Sequence, residues 1–412
     1  MVILASMVGA TAGTFTGLVP GIHVNTLASV MLISYPAISS AVSSFADPAH
    51  VPIVVSACIM SAAVVHSFVD FVPSVFTGAP DPDEVLSVLP GHRLLMAGYG
   101  MAAVRAAAIG SAVGAGAAVL MAIPVQFLMV NGLAGMLDSL TFSVVLFTVT
   151  IIVISDRHKI WALALLLLSG ALGHLCMHGG IPCSGILGES TLLFPLLSGL
   201  FGMPALLQSV KNAKMPKQRD DIMDPVGPAP GIKGILVGCI AGWYPGITAT
   251  AGASLVNAFA PERGPAQFIS LTASIGTVTA VFSLITLSVS GSGRSGTVMV
   301  IRDIIGDSVY GFCSEPFLLL LLSVAVASLL GYAITIASGK AMSAVADRID
   351  LRVMNKAVIA VVLSLVFAMT GPFGLVVLAI STLVGCIPAD IGTSRIPLTG
   401  CLMIPVIISG MG

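Results

Sequence analysis

Two distant stretches of this chain carry the same interrupted pattern, and the pair limits what the chain can fold into. The first is Gly9, Gly13 and Gly17, running into Pro20-Gly21-Ile22, with His23, Asn25 and Thr26 just beyond. The second is Gly234, Gly238 and Gly242, running into Pro245-Gly246-Ile247, with Thr248, Thr250 and Ser254 beyond. Spacing by four puts each set of glycines on one helix face. Proline lacks an amide hydrogen and glycine accepts unusual dihedrals, so Pro-Gly ends one helical arm and starts the next. The second arm then begins with unbonded N–H groups and a positive dipole end. Those are donors for an anion, and the small polar side chains complete a cradle. A single copy reads equally well as a packing kink capped by its own Thr or Asn. Two copies in corresponding places point to paired binding elements.

The sequence around them belongs in a bilayer. Of 412 residues, 57% are hydrophobic and only 8% charged, with a mean hydropathy of +1.07. Soluble domains carry about a quarter charged residues. Apolar runs of at least ~17–20 residues, enough to cross hydrocarbon, recur along the chain. They are apolar throughout, so an alternating β-barrel pattern is excluded. The opening has no basic region ahead of its apolar run and is not read as a cleaved signal. A net charge of −1 gives no reason to expect nucleic acid. The seven cysteines are scattered through apolar segments and read as small core residues, neither disulfides nor metal ligands. With 44 glycines and 6% aromatics, helices are expected to pack closely through small residues. No phosphate-binding loop, nucleophile elbow or His-Glu-x-x-His motif is present, so an enzyme is not expected.

The reading divides the chain into a first transmembrane repeat (1–210), a cytoplasmic linker (211–233) and a second repeat (234–412). A helix at 2–18, broken at Pro20-Gly21 and continuing over 22–45, is expected to form the first interrupted element. Spans are expected near 50–78, 103–131, 134–154, 160–177, 183–209, 265–290, 311–337, 357–370, 372–386 and 396–412, with a polar excursion at 79–100. Basic loops lie around Arg93 and Arg105, at Arg157-His158-Lys159, at Lys211–Lys233 and at Lys340–Lys356. All four fit on the cytoplasmic side only if 234–258 enters and leaves by one face. Its arms, about 11 and 13 residues, are also too short to cross. The expected fold is an all-α polytopic membrane protein of two inverted-topology repeats. Each repeat has a Pro-Gly re-entrant hairpin plus about five transmembrane helices. The glycine ladders are expected to let the two arms of each hairpin pack together.

Other candidates are single residues. His66 and Asp70 share a helix face in an apolar span, either as an ion- or proton-coupling pair or as a self-satisfied boundary pair. Ser283, Thr286, Ser288 and Ser290 are its uncharged counterpart in the second half. His92, Arg93 and Arg294 offer cationic contacts for an anion. His174 and His178, followed by Cys183, lack a third and fourth partner for a metal.

Further motifs extend the pattern. The Gly-x3-Gly-x3-Gly-Leu-Val-Pro-Gly opening, Leu89-Pro90-Gly91-His92-Arg93, and the stretch from Gly185 to Gly199-Leu200-Phe201-Gly202 resemble the large permease subunit of tripartite tricarboxylate transporters. The likeness is closest to the shorter archaeal branch of that family. Gly17, Pro20 and Gly21, with Pro245 and Gly246, carry over residue by residue. The chain departs from the family where His23-Val24-Asn25-Thr26 and Pro90-Gly91-His92-Arg93 stand. The resemblance implies a multi-pass cell-membrane permease for an organic anion, a di- or tricarboxylate, driven by Na⁺ or H⁺ and needing no other cofactor. A lipid-linked phosphate translocase of the polyprenyl-phosphate kind is the alternative reading. The expected partners are a small anionic substrate and the bilayer. A homodimer, and the small membrane subunit and extracytoplasmic binding protein of the bacterial systems, stay open.

Overall fold

A computed structural model describes residues 1–19, 24–77, 85–180, 183–186, 188–189, 191–209, 215–219, 226–244, 247–259, 262, 264–291, 295–348 and 350–410. Among them the chain is helical nearly throughout. The first half contains α1 (Val2–Leu18), α2 (Val24–Ile33), α3 (Tyr35–Val42), α4 (Val51–Val69), α5 (Phe71–Thr77) and α6 (Val85–Met96). It continues with α7 (Gly100–Leu128), α8 (Ala134–Ser139), α9 (Thr141–Ser155), α10 (Lys159–His178), α11 (Leu193–Leu197) and α12 (Met203–Ser209). The second half contains α13 (Ala229–Trp243), α14 (Ala249–Phe259), α15 (Pro265–Ser290), α16 (Gly296–Ile305), α17 (Glu315–Val345), α18 (Leu351–Ile391) and α19 (Gly400–Ser409). Six helical stretches among the described residues are long and apolar enough to cross a membrane, and a seventh if α2 and α3 count as one. That pair bends by 73°. Pro36 in the first turn of α3 removes a backbone donor there and supplies the cause.

Several boundaries differ from the sequence reading. The polar excursion at 79–100 holds a helix, α6, which carries Pro90 inside it. The stretch 183–209 is not one span: a short antiparallel pairing of Ser184–Gly185 with Gly188–Glu189 precedes α11 and α12. The expected pair 357–370 and 372–386 lies in the single element α18, interrupted at Gly371, whose φ of 66° breaks the helical path. The basic stretch from Lys340 is mostly helix, because α17 runs on to Val345. α13 starts at Ala229, inside the expected linker. Linker residues 215–219 are also engaged. Gln218 accepts from the Gly100 N–H at 2.9 Å and donates to the Leu95 carbonyl at 3.2 Å, capping the end of α6 and the start of α7.

The glycine ladders do something other than expected. Gly9, Gly13 and Gly17 lie over the backbone carbonyls of Cys58, Ala62 and His66 on α4, where a Cβ would collide or press hard. Gly234, Gly238 and Gly242 lie over those of Leu271, Ile275 and Thr279 on α15. Both partner sets are spaced by four, so each ladder runs parallel to the long span that follows it. A hydroxyl repeats the correspondence: Ser61 donates to the Ser6 carbonyl at 2.6 Å, and Ser274 to the Gly231 carbonyl at 2.7 Å. The expectation that the glycines join the two arms of a hairpin is therefore corrected. They seat the first arm on the next span, because that is where backbone meets backbone.

The remaining packing crosses between halves. α17 lies on α1 and α4, joined by Ser323, which donates to the Ala57 carbonyl and accepts from Ser6, both at 2.8 Å. α7 lies on α13 and α15, with Gly110 against Ser270 and Gly114 against Ser274. In the same exchange α16 packs on α4, and α6 on α15. α7 and α17 are antiparallel: Gly339 meets Met101 and Val104 at one end, and Gln126 accepts from the Cys313 N–H at 3.0 Å at the other. Beyond this centre, Gly170 and Gly173 of α10 fit against Ile404 and Cys401 of α19, while Gly385 of α18 fits against Leu200 and Pro204.

Candidate functional site

The first break follows α1, whose cap Val19 donates its N–H to the Phe15 carbonyl at 3.1 Å. Pro20, Gly21, Ile22 and His23 lie outside the described residues. Asn25 stands in the first turn of α2, and its Oδ1 accepts two hydrogen bonds from Thr297. One comes from the Thr297 backbone N–H at 2.9 Å and one from its hydroxyl at 2.6 Å. Thr297 is buried in the first turn of α16, a helix capped by Ser295, whose hydroxyl accepts from the Val298 N–H at 3.3 Å. Thr26 is half-buried beside them.

The end of α1 carries a second polar contact. Thr16 and His66 are both buried, with the Thr16 hydroxyl 3.0 Å from His66 Nδ1. Asp70 is buried one turn on, and its N–H donates to the His66 carbonyl at 3.0 Å. Gly17 is what brings α1 close enough for this: its Cβ position lies 3.2 Å from the His66 carbonyl and 3.3 Å from the Asp70 nitrogen. The expected His66–Asp70 pair thus sits against the last turn before the break and includes Thr16. Thr16 had a signal in the sequence, since it falls three residues after Gly13 on the ladder face.

The second break follows α13. Trp243 and Tyr244 end α13 and are buried, and Pro245 and Gly246 lie outside the described residues. Trp243 Nε1 has no hydrogen-bond partner among the described residues. Ile247 is buried, and the Thr248 hydroxyl accepts from the Ala251 N–H at 3.2 Å, capping α14. Thr250 and Ser254 lie in α14, but their side chains lie outside the described set, as does Arg294. On α15 the hydroxyls turn into the ladder helix: Thr279 donates to the Gly238 carbonyl at 3.3 Å and Thr286 to that of Gly242 at 3.1 Å. Ser283 and Ser290 bond within their own helix, and Ser288 accepts from Gln126 at 2.9 Å.

A few candidates stand apart. His92 is half-buried on α6, while its neighbour Arg93 is exposed. Burial pushes the His92 imidazole below its usual value, favouring the neutral form. No described hydrogen bond joins either residue to Asn25 or Thr248. His174 and His178 stack, with ring centroids 4.8 Å apart, at the end of α10. Thr297, Gln126 and Trp243 had no signal in the sequence, because which helix start meets Asn25 is a matter of tertiary packing.

Long apolar helices, with two interrupted helices each seated by a glycine ladder on the following span, define a polytopic membrane protein of the transport class. The model of the tripartite tricarboxylate transporter TctA family matches residues 3–400. The chain belongs to that family, and so is a membrane transport protein and not an enzyme, from a group that works with other subunits. It is also 26% identical over 306 residues to "Uncharacterized protein MJ1079" of Methanocaldococcus jannaschii, covering 73% of this chain and 72% of the relative. No solved structure matches the chain.

Proposed function

We propose that this chain is the permease of a secondary transporter for an organic anion, a di- or tricarboxylate, coupled to Na⁺ or H⁺. The two starts of α2 and α14 form the clamp, with Asn25, Thr26, Thr248 and Thr250 around the anion. His66 and Asp70, with Thr16, take the coupling ion or proton at the end of α1. The alternative of a lipid-linked phosphate translocase has no support from the family.

The observation that carries this reading is the matched seating of the two interrupted helices. Both ladders lie over three carbonyls of the next span at the same spacing. The spans they lie on run oppositely in this reading, since α4 goes with α17, α15 goes with α7, and α7 and α17 are antiparallel. That supports an inverted repeat, the arrangement that lets two broken helices face one substrate from opposite sides. The second hairpin has further support at its base. Lys233 near the start of α13 bonds Glu262 after α14 at 2.8 Å, so entry and exit lie together.

The test is uptake of radiolabelled citrate and succinate by cells producing the chain with its partner subunits. Asn25→Leu and Thr250→Leu are expected to abolish uptake at unchanged membrane abundance, and wild-type uptake by both would overturn the clamp. Running the assay with and without Na⁺, and at two pH values, identifies the coupling ion.

A further inference from the structure

We propose that Thr297 is a positioning residue for Asn25, so that the first break is completed by the second half of the chain; this rests on the clamp reading above. A backbone N–H can only donate, so the Asn25 side-chain atom that meets the Thr297 N–H at 2.9 Å is the amide oxygen. The Thr297 hydroxyl reinforces the choice at 2.6 Å. The amide oxygen is thereby the atom that faces the first turn of α16. Neighbouring Gly296 narrows the space further: a Cβ there would lie 3.1 Å from Asn25 Cγ and 3.2 Å from its Oδ1. Rotamer and amide orientation are both held by one turn of α16. Because Thr297 is buried and α16 packs on α2 and α4, that turn travels with the first break. Thr297 needs no contact with substrate to act. It holds the Asn25 side chain in one orientation at the start of α2, where the clamp reading places the anion, and its loss lets the amide rotate and flip.

The experiment measures citrate and succinate affinity of purified protein by calorimetry and ligand-induced thermal shift. The proteins are wild type, Asn25→Leu, Asn25→Ala, Thr297→Val, Thr297→Ala, Thr297→Ser and Asn25→Ala/Thr297→Val. Valine keeps the shape and the backbone N–H but removes the hydroxyl donor, and is expected to weaken binding about fivefold. Alanine removes the hydroxyl without putting a methyl in its place, at the cost of the γ-methyl as well, and serine restores binding to within about twofold. The double variant is expected to bind no more weakly than Asn25→Ala alone, since the two residues act as one. Wild-type affinity in Thr297→Val and Thr297→Ala, alongside loss in Asn25→Leu, would overturn the positioning role and leave the clamp standing. Equal weakening by valine and serine would also overturn it, because the hydroxyl would then not matter. Unchanged affinity in Asn25→Leu, or no binding of either acid to the wild type, would overturn the clamp and this inference with it.

Discussion

Asp156 sits in the loop between α9 and α10 and ties it to the loop before α19. Its Oδ1 accepts from the Thr393 hydroxyl at 2.6 Å and the His158 N–H at 2.8 Å, and its Oδ2 from the Ser394 hydroxyl at 2.8 Å. Partial burial raises its carboxyl, but these hydrogen bonds together outweigh that and leave it below the ordinary carboxylate value. A depressed folded value means stability present above the unfolded value near ~4 and lost as pH falls through the folded one. Asp156→Asn should therefore lower the melting temperature at pH 7, by the equivalent of roughly 1 kcal/mol given its partial exposure. The gap should close as the pH drops below about 4, which differential scanning fluorimetry at pH 7 and pH 3 would show. This staple joins the two halves and was not readable beforehand, since Asp156 and Thr393 are far apart in the chain. By contrast, the placement of His66 and Asp70 on one face of an apolar helix was legible from their four-residue spacing. The contact of Thr16 with His66 became definite only when α1 was laid on α4.

The ladder helices make the point at the scale of elements. A glycine over a carbonyl lets two backbones approach closer than any side chain allows, and in a bilayer such packing supplies the association energy that the hydrophobic effect does not. Gly13→Ala and Gly110→Ala put a Cβ into the backbone at Ala62 and Ser270. Each is expected to destabilise by roughly 2 kcal/mol through overpacking. Gly116→Ala, with nothing within 4 Å of its Cβ position, is the control. It should be neutral or slightly stabilising through helix propensity. Melting temperatures of the three purified variants in one detergent decide it; equal behaviour would mean that neither the ladder glycine nor Gly110 of α7 bears the packing. The spacing of these glycines announced that one face of each helix needed a close partner. It did not say which partner, and the second arm of the same hairpin was the wrong choice. Sequence proximity favours the arm, whereas the long following span offers a matching row of accessible carbonyls.

At the scale of the whole molecule, α16 packs on α2 and α7 on α13, so each interrupted helix shares its surroundings with the other half of the chain. Such interlocking suits a transporter in which movement about one site alternates its exposure. The proposed topology has a direct check. Ser44→Cys lies between α3 and α4, and Gly227→Cys just before α13, both at exposed positions. In a cysteine-free background the first should react with a membrane-impermeant maleimide from outside intact cells. The second should react only after permeabilisation, and labelling of both from the same face would overturn the inverted arrangement.

The class of protein was settled by composition and by paired Pro-Gly breaks. Low charge and long apolar runs leave the chain no place but a bilayer, and an interrupted helix is tolerated there only where it is buried or lines a cavity. Apolar run lengths placed some helices, and α1 and α15 begin and end where those runs do, whereas α6 and α16 lie outside every expected span. Tertiary structure alone decided what the breaks touch: Thr297 holding Asn25, α4 and α15 receiving the glycine faces, and Gln218 of the linker capping α6 and α7. Those contacts join residues far apart in the chain. Which of many similar small-residue faces meet depends on how all the helices pack at once, and spacing within one helix cannot encode that.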